Sequence, residues 1–348
     1  MLKPDDRVAI LMHQGLKGAK GKTGISLLRY SQNSIVAVID EAAAGESVFT
    51  LTGIDRDVPI VSSIKAALAL KPTVLVIGLA PSGGVLPEPW YAEVKQAVKA
   101  GLSVMNGLHT QMNQDPEIAQ SLRPGQWVWD MRQEPEGLNI GGGRARLLKC
   151  DRVLTVGTDM AVGKMSTSIE LNRASRIRGL RTKLIATGQT GLMLGEDGVA
   201  LDAIRVDYAA GAVEQSLIQH APGQDILFVE GQGSLLNPGS TATLPLIRGT
   251  QPTHLVLVHK ANLANIQHFP DFKIPPLSEV VQLYESVAAA GGTFSPARVV
   301  GIALNTFGLH EKEAREAIAA VSQETGLTCT DVVRFGAEPL LTRIVDEQ

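Results

Sequence analysis

At 348 residues the chain is long enough for two domains, each able to bury a core of its own. Hydrophobic residues make up 44% and charged residues 19% of it, the balance of a soluble globular protein, and no stretch approaches the roughly 20 apolar residues of a membrane span. A net charge of −3 with no basic run argues against a nucleic-acid-binding surface.

Aromatic residues are only 4% of the chain, whereas glycine, alanine and valine abound, as in α/β proteins with closely packed parallel strands. Cys150 and Cys329 lie far apart and form no CxxC pair, so neither a disulfide framework nor a metal site is expected and a reducing compartment fits. The N-terminal apolar run is far too short for a signal peptide, and a cytoplasmic location is expected.

The first half alternates short apolar runs with helical patterns. Residues 7–12 (RVAILM) read as a buried strand, followed by a glycine- and lysine-rich loop at 13–24 and a helical stretch to about Tyr30. Residues 35–39 form a second strand ending at Asp40, 59–61 a third, 62–70 a helix, 74–78 a fourth strand, 89–100 a helix, and 103–105 a fifth strand running into His109. Strands interleaved with helices imply parallel pairing with right-handed crossovers and hence a Rossmann-like sheet, whose ligand face lies at the carboxyl ends of the strands. Asp40 stands where dinucleotide folds place a ribose-binding acid, although GxGxxG is missing. GLKGAKGKTG offers either a phosphate nest with Lys17, Lys20 and Lys22 or a solvated basic loop. His109 is either a structural histidine or a substrate ligand. Residues 113–150 shift in composition, with two of the three tryptophans in QWVWDMR, and the glycines 141–143 mark a joint. The domain boundary is therefore expected near residue 145, giving domains 1–145 and 146–348. Arg132, just before the joint, could grip an anionic substrate by bidentate pairing or fix an interface.

The second half opens on DRVLTVGTDMAVGKMSTSIEL. An apolar strand at 153–156 breaks into a loop bracketed by Gly157 and Gly163, Lys164 follows, and a helix begins at Met165. Free N–H groups of such a loop and of the first helical turn converge on one point, where the helix dipole adds positive potential and the lysine a full charge. Gly157, Thr158, Asp159, Met160, Ala161, Val162, Gly163, Lys164, Met165, Ser166 and Thr167 are the expected phosphate-binding residues. The common form of the motif has four residues between the glycines and a Ser or Thr after the lysine. Here there are five residues, and Met165 in the hydroxyl position is a poor ligand for Mg²⁺. Residues 181–187 are the next strand, opening into Gly188-Gln189-Thr190-Gly191; 209–219 read as a helix. Residues 225–230 (DILFVE) are a buried strand ending in Glu230, followed by Gly231-Gln232-Gly233-Ser234, the look of a Walker B element. Residues 254–259 and 299–304 supply further strands, the latter ending in Asn305, and 269–276 (FPDFKIPP) read as a rigid surface loop.

The GTD-x-x-VGK loop and the VEG segment resemble dethiobiotin synthetase and its P-loop relatives. The ordered set GTDMAVGKMST, ATGQTG, VEGQGSLLNP, HKAN, PLSE and ALNT, behind a Rossmann-like domain, resembles more specifically the P-loop family that includes D-glutamate N-acetyltransferase. That resemblance spans essentially the whole chain. It implies a two-domain α/β protein, Rossmann-like then P-loop NTPase-like, that moves acetyl from acetyl-coenzyme A to the amine of D-glutamate. It also accommodates Met165, because coenzyme A has phosphates to cradle but none to hydrolyse. On this reading Lys164 is the main charge and Asn305 lies near the adenine. Glu230 or Asp202 is the general base, amides at 188–190 (Gln189 and Thr190 among them) or 231–234 serve the oxyanion, and Arg132, Arg205 and His109 are candidates for the substrate carboxylates. Arg205, three residues from Asp202, reads equally as a surface ion pair. No metal is expected. The competing reading is an ATP- and Mg²⁺-dependent ligase or small-molecule kinase of the dethiobiotin synthetase type. The expected partner is a small amino-acid substrate, with a homo-oligomer usual for a metabolic α/β enzyme.

Overall fold

The apolar run RVAIL forms β1 (Arg7–Leu11), its last four residues buried. A strand apolar on both faces needs cover on both, and it becomes an interior strand of a parallel sheet. In the computed structural model, which describes residues 2–346, that sheet also holds β2 (Ser34–Ile39), β3 (Ile60–Val61), β4 (Val74–Ile77), β5 (Ser103–Asn106) and β6 (Val128–Asp130), in the order β3-β2-β1-β4-β5-β6 with every pairing parallel. The chain walks outward from β1 to β3, then restarts at β4 on the other side of β1. The order therefore reverses between β1 and β4, which is where doubly wound sheets open a crevice. The sheet is sandwiched between two apolar clusters, one containing Val8, Ile10 and Val76, the other Leu11, Leu75 and Val104. QWVWDMR, read above only as a shift in composition, supplies the edge strand β6.

The second unit repeats the principle around β7 (Asp151–Gly157). Its neighbours are β8 (Thr182–Ala186), β9 (Asp197–Gly198), β10 (Ile226–Val229), β11 (His254–Lys260), β14 (Arg298–Asn305) and β15 (Cys329–Thr330), ordered β15-β14-β11-β7-β10-β8-β9 and all parallel. A separate antiparallel hairpin, β12 (Asn265–Ile266) with β13 (Phe269–Lys273), leaves the end of β11. The surface loop expected at 269–276 is thus half strand. Tyr284, fully buried, joins Leu154, Val156, Leu227 and Leu257 in the core.

The two compact units meet in sequence at Gln133/Glu134. The first runs to Gln133 and includes Leu192–Gly195, and residues 134–145 pack with the second. The helix Val206–His220 starts earlier than its apolar spacing suggests. Its Gly211 lets the backbone of Asn139 approach, whose carbonyl oxygen would stand 1.8 Å from an added Cβ. No helix among the described residues is long and apolar enough to cross a membrane.

Candidate functional site

The central strand β7 delivers the loop Thr158–Gly163 to the carboxyl edge of the second sheet, and the helix Lys164–Ile177 begins immediately behind it. Gly163 adopts φ 122°, open to glycine alone at little cost, and Ala161 is also left-handed at φ 56°. No side chain caps the N-terminus of this helix, and uncapped first-turn amides at a helix start are the groups that hold a phosphate. Lys164 is buried, and its Nζ donates to the Asp159 carbonyl oxygen at 2.7 Å. A side chain at Gly157 would crowd it, since an added Cβ would lie 3.0 Å from that Nζ and 3.0 Å from Val162 Cγ2.

The loop is held from three sides. Thr158 donates its N–H to the Val258 carbonyl at 3.1 Å, and its hydroxyl lies 2.8 Å from Nδ1 of His259, an imidazole kept neutral by burial that lowers its pKa to about 4. The fully buried Asp159 carboxylate accepts from Met160 N at 2.7 Å, from the Asn237 amide at 2.7 Å and from Gln267 N in the hairpin turn at 2.6 Å. Tyr284 donates its hydroxyl to the Gly157 carbonyl at 2.7 Å and accepts from Leu235 N at 3.1 Å. Neither His259 nor Tyr284 is signalled by the local motif; both arrive from distant elements.

Asn305 also belongs to this scaffold. Its Nδ2 donates to the Val162 carbonyl at 3.0 Å and its Oδ1 accepts from Phe307 N at 3.0 Å. The amide expected near an adenine is thus engaged in stapling the loop, and the exposed group beside it is the Phe307 ring.

Glu230, one residue past β10, is buried. Its Oε2 accepts from Thr187 N at 3.0 Å and Gly188 N at 3.3 Å, while no hydrogen bond engages Oε1 among the described residues. Burial raises its pKa to about 7; the two amides and the charge of Lys164 pull in the other direction without prevailing. The Lys164 charge acts on this carboxylate from the start of the neighbouring helix. Backbone donors expected to serve an oxyanion are partly committed: Gly188 N to Glu230, Gly231 N to the Thr155 hydroxyl at 2.8 Å, and Ser234 N to the Ser240 hydroxyl at 3.0 Å. Gln189 and Thr190 open the short helix Gln189–Met193 beside them.

Asp202 is exposed in a 3₁₀ turn, away from the buried setting that would tune a base. Arg205 is fastened to Glu134, both its backbone N at 2.8 Å and its guanidinium at 2.6 Å, rather than to Asp202 as the spacing suggests. In the first unit the Asp40 carboxylate accepts from Gln14 N at 2.9 Å, Leu16 N at 3.2 Å and Ala42 N at 3.2 Å. It shapes the loop after β1 instead of awaiting a ribose. His109 and Arg132 meet there, 3.0 Å apart.

A P-loop implies Mg²⁺, and the donor set here does not suit it. The thioether of Met165 replaces the hard hydroxyl ligand, and Thr167 and Ser168 return their hydroxyls to the Gly163 and Lys164 carbonyls at 3.1 and 3.2 Å. One Glu230 oxygen is spent on two amides, and no cluster of three His, Cys, Asp or Glu among the described residues could hold a metal ion.

The same two-part organisation is seen on comparison with known proteins. A family model described as a domain of unknown function, DUF1611, P-loop domain, matches residues 139–341, and its companion, a Rossmann-like domain, matches residues 41–134. The chain belongs to the DUF1611 family. A crystal structure of a DUF1611 protein from Anabaena variabilis is 59% identical, with a TM-score of 0.96 over 98% of this chain and all of that one. Two curated relatives are called D-glutamate N-acetyltransferase. The one from a Pseudoalteromonas species is 33% identical over 81% of this chain and 84% of its own length; the one from Tritonibacter scottomollicae is 33% identical over 80% and 83%. The DUF1611 architecture is therefore a Rossmann-like domain followed by a P-loop NTPase-like domain.

Proposed function

We propose that this DUF1611 protein is an N-acetyltransferase that moves acetyl from acetyl-coenzyme A to the amine of an acidic amino acid, D-glutamate by the names of its relatives. The observation that carries the reading is Glu230: a buried carboxylate with a pKa of about 7, one oxygen held by backbone amides, next to a phosphate cradle whose donors do not suit Mg²⁺. A base poised near neutral pH is what amine acylation needs, because an amino acid's amine arrives protonated. Cleavage of a triphosphate needs an orienting cation instead.

In this reading the amides of the Thr158–Gly163 loop, the first turn of the following helix and Lys164 bind the phosphates of coenzyme A. Lys164 must exchange the Asp159 carbonyl for a phosphate oxygen to do so. Glu230 takes the proton of the substrate ammonium through Oε1. The free amine attacks the thioester carbonyl carbon, the C–N bond forms and the carbonyl electrons move onto oxygen. Collapse of that oxyanion breaks the C–S bond; the leaving thiolate takes up the remaining proton lost by nitrogen. Uncommitted backbone donors beside Gly231 supply the oxyanion's hydrogen bonds.

The test is thiol release on mixing the protein with acetyl-coenzyme A and D-glutamate, L-glutamate or D-aspartate, beside an arm with ATP and Mg²⁺. Thiol release that requires an acidic amino acid supports the reading. ADP or phosphate formation, with no thiol released, removes it in favour of a ligase or kinase.

A further inference from the structure

Glu230 and Gln232 stand two residues apart on the segment leaving β10, and between them they hold both ends of one residue, Thr187, at the end of β8. Glu230 Oε2 accepts from Thr187 N at 3.0 Å, and the Gln232 side chain donates through Nε2 to the Thr187 carbonyl. Only the nitrogen of a carboxamide can face a carbonyl oxygen, which fixes the orientation of that side chain. The Thr187 carbonyl takes a second bond from Leu201 N at 3.0 Å, and the Thr187 hydroxyl donates to the Glu230 carbonyl at 2.7 Å.

The Thr187 carbonyl and the Gly188 N–H belong to one peptide group, and Gly188 N is the second donor to Glu230 Oε2, at 3.3 Å. A hydrogen bond to the oxygen of a peptide draws electron density from its nitrogen and makes its N–H the better donor. The Gln232 amide, the Thr187–Gly188 peptide and the Glu230 carboxylate therefore form a single polarised chain. The three are packed without slack: a Cβ added to Gly188 would lie 2.5 Å from Gln232 Nε2 and 3.6 Å from Glu230 Oε1, and one added to Gly191 would lie 3.0 Å from Glu230 Oε2. The backbone of Gln232 is anchored as well. Its carbonyl accepts from the Thr243 hydroxyl at 2.9 Å, and the N–H of the preceding Gly231 donates to the Thr155 hydroxyl at 2.8 Å.

Burial opposes ionisation of Glu230, while the amides of Thr187 and Gly188 and the charge of Lys164 favour it. Gln232 is uncharged and its bond goes to the peptide rather than to the carboxylate, so its influence passes through those two amides. We propose that Gln232 is a positioning residue for Glu230: it pins and polarises the Thr187–Gly188 peptide and so sets how readily the carboxyl group gives up its proton. The bearing of this on catalysis rests on the acetyl-transfer reading; the effect on Glu230 itself does not.

Carbon-13 NMR titration of the Glu230 carboxyl group in the full chain, its signal assigned by its loss in Glu230→Gln, tests this without acetyl-coenzyme A or any amine. Gln232→Met keeps the length of the side chain and removes the donor. The Glu230 midpoint is then expected to rise by about half a pH unit to one pH unit, because weaker amide donors favour the carboxylate less. Ser240→Ala loosens the same turn at Ser234, whose N–H donates to that hydroxyl at 3.0 Å, and is expected to leave the midpoint in place. Should Gln232→Met fail to fold, Gln232→Asn, a methylene too short to reach Thr187, carries the same expectation. An unchanged or lowered midpoint in the Gln232 variant, or an equal rise in Ser240→Ala, overturns the proposal. A rise confined to the Gln232 variant in a protein that transfers no acetyl group upholds this role and removes the transferase reading.

Discussion

The ammonium of Lys164 donates to the carbonyl of Asp159 at 2.7 Å, closing the loop on itself across the space a phosphate would fill. A buried cation needs a partner, and the carbonyl satisfies it until an anion displaces it. Lys164→Ala should therefore leave the fold in place and weaken coenzyme A binding by roughly 10- to 100-fold, the range of one charge-assisted hydrogen bond. Calorimetry reads the affinity and circular dichroism the fold; unchanged affinity would mean that the loop merely turns the chain.

Glu230 predicts a signed pH dependence. Its pKa rises from 4.5 to about 7 on folding, so between those values the folded protein binds more protons than the unfolded one. Stability contributed by the protonated form is fully present below about pH 4.5 and is lost as pH rises through 7. Glu230→Gln, neutral throughout, should be flat over that window, and the wild type should lose up to about 3 kcal/mol relative to it between pH 4.5 and 8. Acetyl transfer should run the other way, rising as Glu230 ionises with a midpoint near 7, and should be lost in Glu230→Gln. Parallel denaturant titrations and pH–rate profiles check both signs; a rate limb that survives the substitution assigns the base elsewhere.

How much of this was legible in the sequence follows the range of the interactions. The cradle at 157–167 is local: glycines, lysine and helix start lie within a few residues, and the spacing carries the geometry. The apolar runs of β1, β4, β7 and β10 were equally plain, since both faces of each are buried. β6 was hidden because a three-residue edge strand, VWD, is too short to show such a run, and β13 because FPDFK is exposed along nearly all its length. Partners far apart in sequence could not be read at all. Arg205 finds Glu134 across 71 positions and Asn305 finds Val162 across 143, and no spacing rule reaches that far.

Met165 gives a third expectation. With a thioether where a hydroxyl would meet Mg²⁺, and Glu230 held by Thr187 and Gly188, coenzyme A affinity should change less than twofold between Mg²⁺ and EDTA. Met165→Ser restores one hard ligand but not the acid, so it should remain indifferent to the cation. A tenfold gain with Mg²⁺ in the wild type would show that other groups complete a metal site.

The joint between β10 and the acid loop supplies the last. Gly231 passes so close to β7 that an added Cβ would stand 1.7 Å from the Thr155 carbonyl oxygen and 3.0 Å from Lys164 Cδ, while its N–H donates to the Thr155 hydroxyl at 2.8 Å. The first obstacle is backbone in the middle of a sheet, which cannot move aside as a side-chain end could. Gly231→Ala should thus cost about 3 kcal/mol or more, at the upper end of overpacking effects, and lower the melting temperature by several degrees. Gly239→Ala meets only the Asn237 side chain at 3.4 Å and should melt close to the wild type. If both variants melted alike, the close approach of Gly231 to β7 would be wrong, and with it the position proposed for Glu230.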